Sequence, residues 1–101
     1  SNKFWATASI MAAYYEILNV SSNWLIKRGI NKTIANNYIS ELFLSLSQDA
    51  VNKRSQGFKK LVADSQTPKG LNMQVLKELK RGKFYTKLIK AMDNINKRVS
   101  S

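Results

Sequence analysis

The strongest constraint on this fold is a pair of long helical segments joined by about three residues. The first runs from about Trp5 to Arg28 without a proline or glycine, and Gly29 follows at the position where helices commonly end. Asn31 is a good N-cap for a second segment from about Lys32 to Lys53. Because the link is so short, we predict that the two helices form an antiparallel hairpin.

The length of these helices predicts a second copy of the chain. Twenty-four residues at about 1.5 Å each make a rod of about 36 Å, whereas a compact domain of 100 residues has a radius of gyration of about 13 Å. Fifteen of the 24 residues are apolar and they surround the helix, so residues 54–101 can cover them only poorly. We therefore predict a homodimer, with a monomeric bundle of long helices as the alternative.

Three shorter helices are predicted after the hairpin. They cover about Gln56–Ser65, which Ser55 can cap, about Asn72–Arg81, which Gly82 ends, and about Lys83–Val99. No segment shows the alternation of a strand. The predicted fold class is all-α, with two long antiparallel helices plus three shorter helices in a single domain.

The segment from Thr67 to Asn72 is the best candidate for a binding site. Pro68 suits the second position of a type I or II turn, and Gly70 permits a close approach or a positive φ. Asn72 is a good N-cap, and a helix N-terminus offers unpaired N–H groups and a partial positive charge to a carboxylate or phosphate. The alternative is a loop that only reverses the chain.

Composition excludes several kinds of chemistry. The chain has no cysteine and no histidine, which removes disulfides, thiolate nucleophiles and the commonest metal ligand. Its six carboxylates are scattered, and only Glu41 and Asp49 lie within ten residues of each other. We therefore expect no catalytic residue and no metal site in this domain.

The positive charge lies almost entirely in the second half of the chain. The net charge is +11, of which residues 52–101 carry +10. Such a half is compatible with nucleic acid, an anionic membrane, an acidic partner domain or a solvated surface. Thirteen of the 17 cations are lysine and no nucleic-acid motif is present, so we do not expect nucleic acid as a partner. Phe4–Ile26 is long enough to span a membrane but contains too many polar residues, so no membrane span is expected.

Three short segments, in their order along the helices, carry a family resemblance. They read Arg28-Gly29-Ile30-Asn31, Thr67-Pro68-Lys69-Gly70-Leu71-Asn72 and Gly82-Lys83-Phe84. With them the chain resembles, over nearly its whole length, the C-terminal dimerisation domain of pyrroline-5-carboxylate reductases. In that family the turn usually reads Ser-Pro-Gly-Gly-Thr-Thr, and the next helix ends at a Gly-Phe or Gly-Gly-Phe step.

The resemblance implies an architecture. It implies an interlocked homodimer of the 6-phosphogluconate dehydrogenase C-terminal-like fold. Residues 1–101 would be the dimerisation domain of a longer cytoplasmic oxidoreductase of proline biosynthesis. An N-terminal Rossmann domain, absent from this chain, would bind NADP or NAD. This domain alone would bind no cofactor and would be inactive.

The resemblance also implies a substrate site. The family reduces the C=N bond of 1-pyrroline-5-carboxylate to give proline. Carried over, the substrate-binding residues are Thr67, Lys69, Gly70, Leu71 and Asn72. The backbone N–H groups of Lys69, Gly70 and Leu71 would hold the substrate carboxylate, and Asn72 would take the place of the threonine that hydrogen-bonds the ring nitrogen.

The chain departs from the family pattern at several positions. Lys69 replaces the first glycine of the turn, and Leu71-Asn72 replaces Thr-Thr. Ser9-Ile10-Met11-Ala12 replaces a Gly-Ser-Gly-Pro-like segment in the first helix. Another imine or a carbonyl compound is therefore an alternative substrate. The alternative function is a basic, all-helical nucleic-acid-binding or scaffold dimer without catalytic activity.

Overall fold

The computed structural model describes residues 2–100, and every regular element among them is helical. The elements are α1 (Asn2–Ala8), α2 (Met11–Ile26), α3 (Lys32–Asn52), a 3₁₀ turn (Arg54–Gln56), α4 (Phe58–Asp64), α5 (Leu71–Arg81) and α6 (Phe84–Ser100). The predicted all-α class is confirmed. No helix in this part of the chain is both long and apolar enough to cross a lipid bilayer.

The chain divides into two compact units. One is Ala12–Leu61, which contains the helical hairpin, and the other combines residues 2–11 with residues 62–100. The candidate binding turn lies in the second of these units.

The first long helix is interrupted, contrary to the prediction of one helix over Trp5–Arg28. The Ser9 hydroxyl donates to the carbonyl of Ala6 at 2.6 Å. The N–H of Ile10 donates instead to Thr7, three residues back, at 3.3 Å. Serine side chains that bond to the preceding turn compete with the helical ladder, so α1 ends at Ala8 and α2 begins at Met11.

The predicted end of α2 is confirmed in detail. Gly29 takes φ +95°, its N–H donates to Ile26 at 3.1 Å, and the N–H of Ile30 donates to Leu25 at 3.1 Å. This pair of bonds is a Schellman motif, which needs a left-handed residue at the glycine position. Asn31 then caps α3, accepting from the N–H of Thr33 at 2.8 Å.

The α2–α3 hairpin is antiparallel, as predicted. The rings of Tyr14 and Phe43 meet edge to face with centroids 6.0 Å apart, and Ser22 contacts Asn36 nearer the turn. Ala35 and Ile39 are the buried apolar residues of α3. Both pairs fit a single register, in which residue numbers rise along α2 as they fall along α3.

The second unit is built around α6. Both α1 and α5 pack against it. Ala6 is buried on α1, and Leu88, Met92 and Ile95 form the half-buried stripe of α6. The side chains of Asn2 and Ser100 close one end of this packing with a 3.2 Å hydrogen bond.

The start of α4 differs from the prediction. Ser55 does not cap a helix over Gln56–Ser65, because Arg54–Gln56 forms a 3₁₀ turn. Gly57 follows with φ +88°, and the α-helix begins only at Phe58. A positive φ breaks the helical path, so the residues before Gly57 cannot belong to α4.

Very little apolar surface is buried within one chain. Ala6, Ala35 and Ile39 are the buried apolar residues among those described. The accessible surface is 8715 Å², whereas a globular monomer of this mass exposes about 5,800 Å². Large apolar side chains in both units therefore remain in contact with solvent.

Candidate functional site

The binding turn is a tight turn closed by one backbone hydrogen bond. The N–H of Gly70 donates to the carbonyl of Thr67 at 2.8 Å. Pro68 stands second, and Lys69 stands third with φ +61°. A positive φ at the third residue is typical of a type II turn. The left-handed residue is thus Lys69, which stands where the Ser-Pro-Gly-Gly-Thr-Thr turn has its first glycine. Gly70 itself has φ −80°.

Gly70 is required for space rather than for its φ. A Cβ placed on it would lie 2.9 Å from the carbonyl oxygen of Thr67 and would also clash with the Thr67 hydroxyl. The predicted close approach at Gly70 is therefore present, and the neighbour is the turn's own backbone.

Asn72 is not the N-cap of α5, contrary to the prediction. The helix begins at Leu71, and Gly70 is the N-cap residue with φ −80° and ψ 165°. The side-chain amide of Asn72 instead donates from Nδ2 to the carbonyl of Ser65 at 3.1 Å. This bond ties the first turn of α5 to the end of α4 and fixes which way the amide points.

The N-terminus of α5 is open. Gly70 has no side chain to cap it, and the first helical bond is donated by Gln74 to Gly70 at 3.1 Å. Within residues 2–100, the N–H groups of Leu71, Asn72 and Met73 have no hydrogen-bond acceptor. These groups carry the positive end of the helix dipole, which favours an anion.

A cleft of about 510 Å³ lies beside this helix end. Its lining residues are Pro68, Lys69, Gly70, Met73, Gln74 and Lys77. Two lysines and a helix N-terminus border it, so its electrostatic potential favours anionic ligands. Leu71 is 82% exposed and Asn72 is also exposed.

The five residues predicted for the substrate site differ in whether their backbone groups are already hydrogen-bonded. Thr67 closes the turn through its carbonyl, and the N–H of Gly70 is engaged there rather than free. Lys69, Leu71 and Asn72 keep backbone N–H groups without acceptors in the described chain.

Three further residues line this cleft that were not predicted as site residues: Met73, Gln74 and Lys77. Together with Gly70, these residues follow one another at helical spacing along one face of α5. A prediction that began α5 at Leu71 would therefore have placed them beside the turn.

Two kinds of site are not found among residues 2–100. No group of three or more acidic residues there could hold a metal ion. No β-strand occurs there either, so the strand–turn–helix motif that binds a dinucleotide does not lie in this region.

Comparison with known proteins identifies the family. The family model for pyrroline-5-carboxylate reductase dimerisation matches residues 4–101. Comparisons with curated proteins and with solved structures give no significant match. The matched region includes the helical hairpin, the Thr67–Gly70 turn and the last two helices, so the chain belongs to the pyrroline-5-carboxylate reductase dimerisation family.

Proposed function

We propose that this chain is the dimerisation and substrate-site domain of a pyrroline-5-carboxylate reductase-like oxidoreductase. In this proposal two copies interlock, and the Thr67–Gly70 turn with the start of α5 binds the carboxylate of a cyclic imine. A separate domain binds NADP or NAD and completes a cytoplasmic enzyme of proline biosynthesis. The observation that carries the proposal is the uncapped N-terminus of α5 beside a glycine that the turn itself requires.

The open N–H groups support a carboxylate as the ligand. Leu71, Asn72 and Met73 present three donors at the positive end of a helix of 11 residues. A carboxylate oxygen accepts such bonds strongly because the acceptor is charged. Lys69 and Lys77 border the same cleft and add favourable charge.

Asn72 supports a protonated imine as the reacting group. One hydrogen of its Nδ2 is donated to Ser65, which orients the amide, and its Oδ1 accepts no hydrogen bond within residues 2–100 and is available as an acceptor. An amide oxygen only accepts hydrogen bonds. It would therefore favour a ring nitrogen that carries a proton, which is the form of an imine that is most readily reduced.

The exposed apolar surface supports the dimer. The chain exposes about 2,900 Å² more than a globular monomer of its mass would. Permanent dimers bury interfaces of several thousand Å² in total, and their interfaces are more hydrophobic than those of transient complexes. A second copy would remove this surface from water.

Light scattering tests the assembly. We expect a dimer, with twice the chain mass of 11.5 kDa, at all micromolar concentrations and independent of salt. Hydrophobic interfaces are not weakened by moderate salt, whereas nucleic-acid binding falls steeply with it. A monomer would refute the dimer, and salt-sensitive binding of an RNA or DNA oligonucleotide would favour the basic-surface alternative.

An NMR titration tests the ligand chemistry. Three probes separate the groups: L-proline has both carboxylate and nitrogen, cyclopentanecarboxylate lacks the nitrogen, and pyrrolidine lacks the carboxylate. Both carboxylates should shift the amide signals of Leu71, Asn72 and Met73, and L-proline alone should also shift the Asn72 side-chain signals. Equal shifts with pyrrolidine would contradict the carboxylate assignment.

A turnover assay tests whether the reaction requires a separate cofactor-binding domain. We expect the 101-residue chain with NADPH and pyrroline-5-carboxylate to show no turnover, because no dinucleotide-binding motif lies in residues 2–100. A protein that joins this chain to its cofactor domain should be active. Turnover by the chain alone would refute the proposal.

A further inference from the structure

Two lysines border the candidate substrate cleft, and no carboxylate lines it to balance them. Of the six residues that line this cleft of about 510 Å³, Lys69 and Lys77 are charged and none is acidic. Neither lysine forms an ion pair or a hydrogen bond within residues 2–100. The acidic residue of α5, Glu78, accepts a hydrogen bond from Gln74 at 3.1 Å and does not line the cleft. The cleft therefore has a positive charge that its own lining does not neutralise.

The turn itself does not require a lysine at residue 69. Lys69 has φ +61°, a conformation that glycine adopts without steric cost and that disfavours a residue with a Cβ. Lys83 has a similar φ of +66° but does not line the cleft, so this conformation alone identifies no ligand. What distinguishes Lys69 is its place, one residue before the N-cap of α5 and beside the open N–H groups of that helix.

Lys77 lies on the face of α5 that continues from the open helix end. Gly70, Met73, Gln74 and Lys77 follow one another at helical spacing, and all of them line the cleft. The Cα of Lys77 is seven residues from that of Gly70, which corresponds to about 10 Å along the helix axis. Helical side chains lean toward the N-terminus, so the Lys77 ammonium group can lie about one turn nearer the helix end than its Cα. A ligand bound at the helix end then lies between the two lysines.

The charge of the cleft exceeds what a single carboxylate balances. The helix end carries about half a positive charge, to which Lys69 and Lys77 add one full charge each. A ligand with one carboxylate leaves about 1.5 positive charges without a partner, whereas a ligand with two anionic groups leaves about half a charge. Pockets for drug-sized ligands measure about 300–1,000 Å³, so a five-membered ring with one carboxylate would occupy only part of this cleft.

We propose that the ligand of this cleft is a cyclic imine with two anionic groups. The first group is the carboxylate at the open N–H groups of α5, and the second binds to the ammonium groups of Lys69 and Lys77. These two lysines then determine specificity, because they favour a dianionic ring over pyrroline-5-carboxylate itself. The inference rests on the proposed function and adds the chemical class of its substrate.

Two ligands of the same size test the second charge. Pyrrolidine-2,4-dicarboxylate has a second carboxylate, and the 4-carboxamide of L-proline has an uncharged group of similar shape in its place. With two lysines beside the second group, we expect the dicarboxylate to bind about fivefold more tightly, which is within the range for exposed ion pairs. NMR titration at low salt, which follows the Leu71 and Asn72 amide signals, gives both dissociation constants. Their ratio should fall toward one as the salt concentration increases.

Variants that remove one charge locate the effect. Lys69→Gln and Lys77→Gln retain a long polar side chain, and Lys69→Gln also retains a Cβ at the left-handed position. Each should lower the preference for the dicarboxylate about twofold, and the double variant should bind the two ligands equally. Lys80→Gln is the matched control, because Lys80 carries the same charge on the same helix but does not line the cleft. This variant should retain the preference of the unaltered chain.

The outcomes separate this inference from the proposed function. If L-proline shifts the Leu71 amide signal but the dicarboxylate and the carboxamide bind equally, the second anionic group is refuted and the carboxylate site remains. A preference that Lys80→Gln lowers as much as Lys69→Gln does would also overturn the inference, since it would reflect only the overall positive charge of the chain. If neither L-proline nor the dicarboxylate shifts any amide signal, both the inference and the proposed ligand site fail.

Discussion

The side-chain amide of Asn72 donates to the main-chain carbonyl of Ser65 across 3.1 Å. The bond joins the end of α4 to the first turn of α5, and the Thr67–Gly70 turn lies between the two bonded residues in the chain. The turn therefore has two closures, one from Gly70 to Thr67 through the backbone and one from Asn72 to Ser65 through a side chain.

Replacing Asn72 by alanine should loosen this turn without unfolding the domain. An exposed neutral hydrogen bond contributes about 0.5–1 kcal/mol, which corresponds to about two- to fivefold faster hydrogen exchange at the Gly70 amide. Exchange measured by NMR would show it. Asn94→Ala is the control, because Asn94 on α6 is exposed and makes no side-chain hydrogen bond within residues 2–100. Unchanged exchange at Gly70 in Asn72→Ala would show that the amide does not hold the turn.

Lys69 and Lys83 should each become more favourable as glycine. Both have a left-handed backbone, with φ +61° and +66°. That conformation costs a residue with a Cβ about 1–2 kcal/mol, part of which the greater freedom of unfolded glycine offsets. We expect Lys69→Gly and Lys83→Gly to raise the free energy of unfolding by about 0.5–1 kcal/mol each. Urea denaturation at a fixed protein concentration measures it.

The matched control for both variants is Lys87→Gly. It removes the same charge and side chain, but Lys87 lies inside α6. Glycine in a helix interior costs about 0.5–1 kcal/mol, so this variant should be less stable than the parent. If all three variants changed stability in the same direction, the loss of charge, and not the backbone conformation, would explain the result.

The sequence predicted those parts of the fold that depend on local chemistry. The helix end at Gly29 and the cap at Asn31 followed from the residue types that such positions favour, and both are confirmed. For the same reason the start of α3, predicted at about Lys32, is confirmed at that residue.

The failures lie where two local signals compete. Serine is compatible with a helix interior, but the Ser9 hydroxyl donates a hydrogen bond to the carbonyl of Ala6 and competes with the helical bond there. The residue type alone does not predict that bond. In the turn, glycine is the residue type that best tolerates a positive φ, but Lys69 adopts it and Gly70 does not. Asparagine is a favoured N-cap, but the Asn72 side chain donates instead to the carbonyl of Ser65, seven residues earlier. Such contacts depend on the path of the chain between the two residues.

Gly70→Ala should disrupt the candidate site. The new Cβ would lie 2.9 Å from the carbonyl oxygen of Thr67, which cannot move without opening the turn. We expect a loss of about 1–3 kcal/mol of stability, as for other overpacked positions, together with loss of the L-proline-induced shifts at Leu71 and Asn72. The free energy of unfolding and the NMR titration are measured on the same sample.

Gly82→Ala is the control for that change. Gly82 follows α5 with φ −77°, and an added Cβ would meet its nearest neighbour at 3.6 Å, which is ordinary contact. Alanine should be tolerated there with a change of no more than about 1 kcal/mol, and ligand shifts should be retained. Retained ligand shifts in Gly70→Ala would mean that the turn does not determine binding.

Asn31→Ala should destabilise the hairpin through its cap. The Asn31 side chain accepts from the N–H of Thr33 at 2.8 Å and from that of Ile34 at 3.4 Å. Removing an asparagine N-cap costs about 1 kcal/mol, and we expect that decrease in the free energy of unfolding. Asn37→Ala is the control: inside α3, alanine is the better helix former, so stability should rise by a few tenths of a kcal/mol, about what propensity predicts. Because the hairpin supplies much of the exposed apolar surface, the Asn31→Ala dimer should also dissociate at a higher protein concentration than the parent. Equal stability of the two variants would show that the start of α3 does not depend on its cap.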